Sequence, residues 1–237
     1  MLIQTEALES LRILRMDNAG ENKFTKEFIA AFNHALDQLE ADTNVRGLVL
    51  TGAAEKFFST GLDLTWLMAR PKHEWLPFFL DMDRLLLRFF AFPKPVVAAL
   101  NGHAFAGGLF LALCADYRVM REDRGFCCMP EIDLGIELPP GTVALISHVM
   151  GRRNAEFLTL FAKRLAAKDA LKMGAVDEIV KAEEVLPRAL EAARHLAAKN
   201  PKTFSQHKLA LRKDAARVMQ EDDPPFLESV MKPKPVG

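Results

Sequence analysis

From Val96 to Ala115 the chain carries no Asp, Glu, Lys or Arg. An uncharged run of that length is long enough to cross a bilayer, but Asn101-Gly102-His103 and Gly107-Gly108 interrupt it. Turn residues at two places are incompatible with one unbroken membrane helix. The run therefore reads as a buried strand, a turn and a buried helix, and the rest of the chain must wrap around them. Half of the 237 residues are hydrophobic, enough to build that enclosure.

The same alternation extends to both sides. Leu11 to Met16 reads as a strand, and Thr25 is placed to cap a helix whose Phe28, Phe32, Leu36 and Leu39 recur every three or four residues. Val45 to Thr51 reads as a buried strand running into Gly52. Leu85, Leu86, Phe89 and Phe90 mark a second buried helix face, which Pro93 and Pro95 end before the strand Val96 to Leu100. Tyr117 to Met120, the segment after Pro140, and Leu171 to Val180 continue the pattern, and from about Glu183 the chain is wholly helical. Alternating elements of this kind indicate the α/β class. No linker divides the chain, so the expected organisation is a core over residues 1–180 with a helical region over 181–237. Pro224, Pro225, Pro233 and Pro235 argue against a packed helix near the end and for poor order in the last residues.

Charge and cysteine usage narrow the partners. Lys plus Arg equals Asp plus Glu at 31 each, so no overall field draws the chain to nucleic acid or an anionic membrane. Met1-Leu2-Ile3-Gln4-Thr5-Glu6 lacks a basic region followed by an apolar stretch, which predicts an intracellular protein. The three cysteines, Cys114, Cys127 and Cys128, are odd in number and lack metal or redox spacing, and they read as buried reduced thiols.

One acid stands out against this background. Glu131 lies between Phe126-Cys127-Cys128-Met129-Pro130 and Ile132, Leu134 and Ile136, an apolar setting that raises a carboxyl pKa. Upstream are two glycine turns, Ser59-Thr60-Gly61-Leu62-Asp63-Leu64 and Ala106-Gly107-Gly108. Glycine turns can aim backbone N–H groups at a developing oxyanion, and a carboxylate beside them can take a proton from a carbon next to a carbonyl. Tight packing also explains Gly-Gly, a solvated loop also explains a glutamate, and Asp133 and Glu137 alternate in register with Glu131 if the segment is extended. His103 is an alternative base, although a packing histidine is the commoner case. No phosphate-loop or dinucleotide fingerprint occurs, no histidine pair suggests a metal, and neither Ser59 nor Ser147 sits in a nucleophile elbow.

Glu55-Lys56-Phe57-Phe58-Ser59-Thr60-Gly61-Leu62-Asp63-Leu64 and Asn101-Gly102-His103-Ala104-Phe105-Ala106-Gly107-Gly108 closely resemble the two signature regions of the crotonase superfamily, the enoyl-CoA hydratases and isomerases. Pro130-Glu131-Ile132-Asp133-Leu134-Gly135 and the segment from Leu165 to Asp177 are similar too, in consistent order over roughly residues 10 to 200. The resemblance implies a crotonase-like spiral of ββα turns, a C-terminal helical region used in trimer contacts, and a homotrimer or dimer of trimers. It implies a fatty acyl-CoA thioester as substrate, with no metal and no cofactor beyond the coenzyme A that the substrate carries. Carried across residue by residue, it makes the N–H groups of Leu62 and Gly107 an oxyanion hole and Glu131 the catalytic base. Lys56, Phe58, Ser59, Gly61, Asp63, Leu64, Ala106, Gly108 and Phe110 join Leu62 and Gly107 as substrate-binding positions. Hydratases of the family place a glutamate three residues after the second oxyanion glycine, where this chain has Phe110. A lone glutamate at position 131 resembles the delta-3,delta-2-enoyl-CoA isomerases of fatty acid β-oxidation. Hydration, thioester hydrolysis or another crotonase lyase reaction is the alternative, followed by acyl-CoA binding without turnover. Met16 to Lys23 replaces the usual proline-led motif, and Glu137-Leu138-Pro139-Pro140 replaces a glycine-rich stretch. Lys232 to Gly237 is no peroxisomal address, which places the chain in a cytoplasm.

Overall fold

A computed structural model describes residues 1–231. Strands β1 (Ile3–Leu8) and β2 (Leu11–Met16) form an antiparallel hairpin, followed by α1 (Lys26–Ala41), β3 (Gly47–Gly52), β4 (Phe57–Ser59), α2 (Leu64–Met68) and α3 (Trp75–Phe90). Next come β5 (Val96–Leu100), β6 (His103–Phe105), α4 (Gly107–Leu113), β7 (Tyr117–Arg121), β8 (Phe126–Cys128), α5 (Pro140–Met150) and α6 (Arg152–Phe161). The chain ends through β9 (Leu165–Ala166), α7 (Ala167–Lys172), β10 (Glu178–Val180), α8 (Val185–Ala197), α9 (Pro201–Glu221) and α10 (Asp223–Met231).

A six-stranded sheet has the order β1-β2-β3-β5-β7-β10, parallel from β2 onward, and a four-stranded sheet has the order β4-β6-β8-β9. Each turn of chain thus lays one strand in the large sheet, one short strand in the small sheet, and then helix: β3-β4-α3, β5-β6-α4 and β7-β8-α5. This is the expected spiral of ββα turns.

The central strands β3 and β5 of the large sheet are buried on both faces, and the twofold side-chain period divides their residues between two cores. Leu48, Leu50, Val96, Ala98 and Leu100 face the helices α1, α3 and α4, whereas Val49, Val97, Ala99 and Val119 face α8. On α8, Ala189, Ala193 and Ala197 recur every four residues, and their small size lets that helix lie close to the sheet. Thr25 caps α1 as expected, its Oγ accepting from the Phe28 N–H at 3.2 Å.

One expectation needs correction. Pro224 and Pro225 do not prevent a helix: they occupy the first turn of α10, where backbone N–H groups lack intrahelical acceptors and a missing donor costs nothing. Pro233, Pro235 and the expected poor order of the last residues fall outside the described residues. Nor is the segment after Glu131 extended, because Leu134 N–H bonds Pro130 O and Ile136 N–H bonds Glu131 O, closing a tight turn. Strands β4, β6, β8 and β9 were not expected; with two or three residues each they are too short to show a period.

A buried ion network fastens α9 to this core. Asp116 pairs with Lys208 Nζ and Arg212 Nη2, each at 2.9 Å, and accepts from the Val96 N–H at 2.7 Å. Burial pushes the Lys208 ammonium down to about 8 despite Asp116 beside it. Removing the shared anion leaves two buried cations, so Asp116→Ala is expected to cost about 3–5 kcal/mol. A thermal melt checks this, and a change within about 1 kcal/mol would show that solvent reaches both cations.

Candidate active site

Two turns and one acid surround the mouth of a cavity of about 490 Å³. The first turn follows β4. Phe24 N–H donates to Gly61 O at 2.7 Å and Phe24 O accepts from Asp63 N–H at 3.1 Å, a parallel bridge that uses the residues flanking Leu62. Such a bridge leaves the N–H of Leu62 itself turned away from Phe24. The second turn follows β6, where Ala106 takes φ 50° and ψ −127°, a conformation costly for a residue with a Cβ. Its N–H to Cys128 O at 2.9 Å helps hold it there. The kink places Gly107 at the first position of α4, where its N–H has no intrahelical acceptor. Among the described residues neither the Leu62 nor the Gly107 N–H donates to a protein group. Leu62, Ala106 and Gly107 all border the cavity.

The two turns touch backbone to backbone. Gly61, at φ +75°, could not carry a side chain, since a Cβ there would stand 2.5 Å from Gly107 N. A Cβ on Gly108 would stand 2.3 Å from Ser59 O. Gly61 and Gly108 therefore serve close packing, and that packing brings the N–H groups of Leu62 and Gly107 to the same cavity.

The remaining substrate-binding positions separate by location. Leu64 and Phe110 line the cavity with Leu62, Ala106 and Gly107. Phe58 is fully buried in the core, and Ser59 Oγ donates to Asn22 O at 2.8 Å while accepting from Gly61 N–H at 3.1 Å. Asp63 caps α2 by accepting from Trp66 N–H at 2.9 Å. Lys56 is exposed, its ammonium 5.0 Å from the Phe57 ring centre. His103 is packed among Phe57, Phe105 and Phe126, its Nδ1 accepting from Phe126 N–H at 3.1 Å, and burial lowers its pKa.

Glu131 stands near the start of the segment after β8, only 6% exposed, and its Oε2 has no hydrogen-bond partner. Burial raises its pKa to about 7, partly countered by a bond to its own backbone N–H. The turn after it points Asp133 and Glu137 to solvent, although Glu137 also reaches the rim of the cavity. Trp75, Phe79, Met82 and Leu86 of α3 and Leu227, Val230 and Met231 of α10 supply an apolar wall. The α3 face was legible as helix but not as a ligand wall, and nothing in residues 223–231 advertised that role before folding. Asn22 also went unrecognised: its Nδ2 donates to Phe58 O at 2.8 Å, tying the N-terminal loop to the first turn. A second hollow, of about 610 Å³ between α5, α8 and α9, lies away from Glu131, and its Asp116, Lys208 and Arg212 are already paired.

The spiral of ββα turns thus carries the buried, unpartnered Glu131 and the backbone N–H groups of Leu62 and Gly107 on one apolar cavity. The model of the enoyl-CoA hydratase/isomerase family matches residues 6–223, and the chain belongs to that family, within the crotonase superfamily. It is 32% identical over 190 residues to mouse enoyl-CoA delta isomerase 1, mitochondrial, with 80% of this chain covering 66% of that protein. The chain thus spans about two thirds of the mouse protein's length. The crystal structure of human mitochondrial delta3-delta2-enoyl-CoA isomerase is similar with a TM-score of 0.93 at 28% identity, over 98% of this chain and 92% of that one. A probable enoyl-CoA hydratase of Mycobacterium tuberculosis gives 0.91 at 29% identity, over 97% and 96%. No helix among the described residues is long and apolar enough to cross a membrane.

A carboxyl whose folded pKa is raised favours its neutral form. The stability it contributes is complete below about pH 4.5 and is lost as pH rises through about 7. Glu131→Gln, neutral throughout, is therefore expected to be more stable than the parent at pH 8, by on the order of 1–3 kcal/mol, with the difference vanishing near pH 5. Parallel thermal melts at the two pH values test this, and equal melting at pH 8 would contradict the burial of the charge.

Proposed function

We propose that the chain is an acyl-CoA isomerase that moves the double bond of a 3-enoyl thioester to the 2-position. Glu131 carries this reading: it is a buried, unpartnered carboxyl tuned near neutrality on the wall of an apolar cavity. The thioester oxygen accepts from the N–H groups of Leu62 and Gly107. Glu131 removes a proton from C2, the electron pair moves into a dienolate held by those donors, and the same proton returns at C4. Atoms balance with one carboxyl, and coenzyme A leaves the cycle unchanged as the substrate's handle. Phe110 fills with a ring the position from which a second glutamate would orient water, and the walls of α3 and α10 accept the acyl chain.

Hydration is the second reading, favoured by Glu137 at the rim of the same cavity and by the hydratase name of one similar structure. Assembly as a homotrimer or dimer of trimers belongs to the proposal, supported by exposed Leu160, Phe161 and Leu211, and light scattering of the purified chain tests it.

Glu131→Gln is expected to lower 3-enoyl-CoA isomerisation by at least about a hundredfold while acyl-CoA affinity stays within about threefold. Turnover near the parent's would remove Glu131 from the chemistry, and binding by the parent without turnover would favour the non-catalytic alternative. The rate should also rise with pH through about 7, because the base acts ionised.

With Phe110 in place, hydration of 2-enoyl-CoA should run at least about two orders of magnitude slower than isomerisation. Mass spectrometry of 3-hydroxyacyl-CoA decides this; rapid hydration abolished by Glu137→Gln would establish the second reading.

A further inference from the structure

Two carboxyl groups meet where α10 docks. Asp83, in the middle of α3, is 6% exposed; Asp223, at the start of α10, is fully buried; and the two carboxyls act on each other where α10 packs on α3. A bond between carboxyl groups requires one proton between them. Gly141 N–H, in the first turn of α5, donates to Asp223 Oδ1, whereas Oδ2 has no N–H or hydroxyl donor. A proton on Asp83 would supply the donor that Oδ2 lacks. Space is kept for this arrangement: a Cβ at residue 141 would stand 2.3 Å from Asp223 Oδ2 and 2.5 Å from Met219 Cα. Among charged neighbours, Arg84 on α3 favours ionised Asp83, and Asp222 at the end of α9 disfavours ionised Asp223. From α5 comes the Gly141 N–H, and Glu131 and Glu137 share with Asp83 only the lining of the cavity.

We propose that Asp83 and Asp223 share one proton and act as positioning residues, latching α10 against α3 and α5 so that Leu227, Val230 and Met231 stand as a wall of the cavity. Burial, with the Asp223 charge added, pushes Asp83 up to about 8, so the latch holds its proton at neutral pH. When α10 swings out, both carboxyls meet water and titrate near 4. Closing therefore takes up a proton between these limits. The latch is firmest in acid and weakens as pH rises toward about 8.

Hydrogen–deuterium exchange of the full chain, corrected for the intrinsic pH dependence, reads the latch directly. Protection of the amides of residues 226–231 is expected to fall at least about tenfold between pH 5.5 and 8 in the parent, and less than about twofold in Asp83→Asn, whose amide donates the same bond without titrating. A flat parent profile, or an equal fall in Asp83→Asn, overturns the proposal. If Asp83→Asn does not fold, Asp223→Asn is read the same way, since its amide donates to an ionised Asp83 and a flat profile is again expected. None of this depends on the chemistry. A second measurement rests on the isomerase reading: over the same pH range the KM for a twelve-carbon 3-enoyl-CoA should rise about threefold or more relative to a six-carbon one in the parent, but not in Asp83→Asn. Exchange as expected with an unchanged KM ratio would uphold the latch and remove α10 from acyl recognition.

Discussion

The candidate site depends on one contact that contains no side chain, the meeting of Gly61 with the backbone of Gly107. A single added carbon at residue 61 would overlap the amide nitrogen of the neighbouring turn. Because that distance cannot grow without parting β4 from β6, the two turns keep a fixed separation. The direction of the Leu62 and Gly107 N–H groups follows from it. So does the shape of the cavity mouth, since Leu62, Ala106 and Gly107 form part of its edge. Strain at Ala106 is tolerated for the same reason: the β6–β8 pairing and the Gly61 contact over-determine its conformation.

Buried charge is treated in two ways. Asp116 is shared between Lys208 and Arg212, and Arg118 pairs with Asp177 at 2.7 Å while donating to Ala115 O. These groups satisfy the rule that an interior charge carries a partner. Glu131 departs from it, with an oxygen that meets no donor. Partners would lower its pKa and remove its power as a base, so the missing bond and the raised pKa are one property seen twice. Structural stability and the proton transfer proposed for Glu131 ask opposite things of a carboxyl, and the paired and unpaired acids stand in different parts of the core.

Much of the architecture was legible before folding because strands β3 and β5 are continuous apolar runs and α1 and α3 carry strong helical periodicity. Thr25 as a cap and Phe28, Phe32, Leu36 and Leu39 as a buried face needed nothing beyond local pattern. The small sheet was not legible, since a strand such as Phe57–Ser59 has no room for alternation. Residues near the glycines were readable as a site only jointly: alone, Gly108 is what tight packing looks like, and packing is its role against Ser59. Pro224 and Pro225 misled because proline forbids the interior of a helix and not its first turn. The contribution of α10 to the cavity was hidden most completely, because residues 62 and 231 come to line one cavity only in the tertiary fold, which no window along the chain contains.

That distance along the chain also orders events during biosynthesis. The glycine turns, Glu131 and the aromatic wall of α3 leave the ribosome well before residues 227–231, which complete the enclosure. Until α10 docks, Trp75, Phe79 and Met82 border an open apolar trough, the kind of surface that chaperones retain and aggregates share. Among the described helices, the one translated last is thus the one that covers this trough.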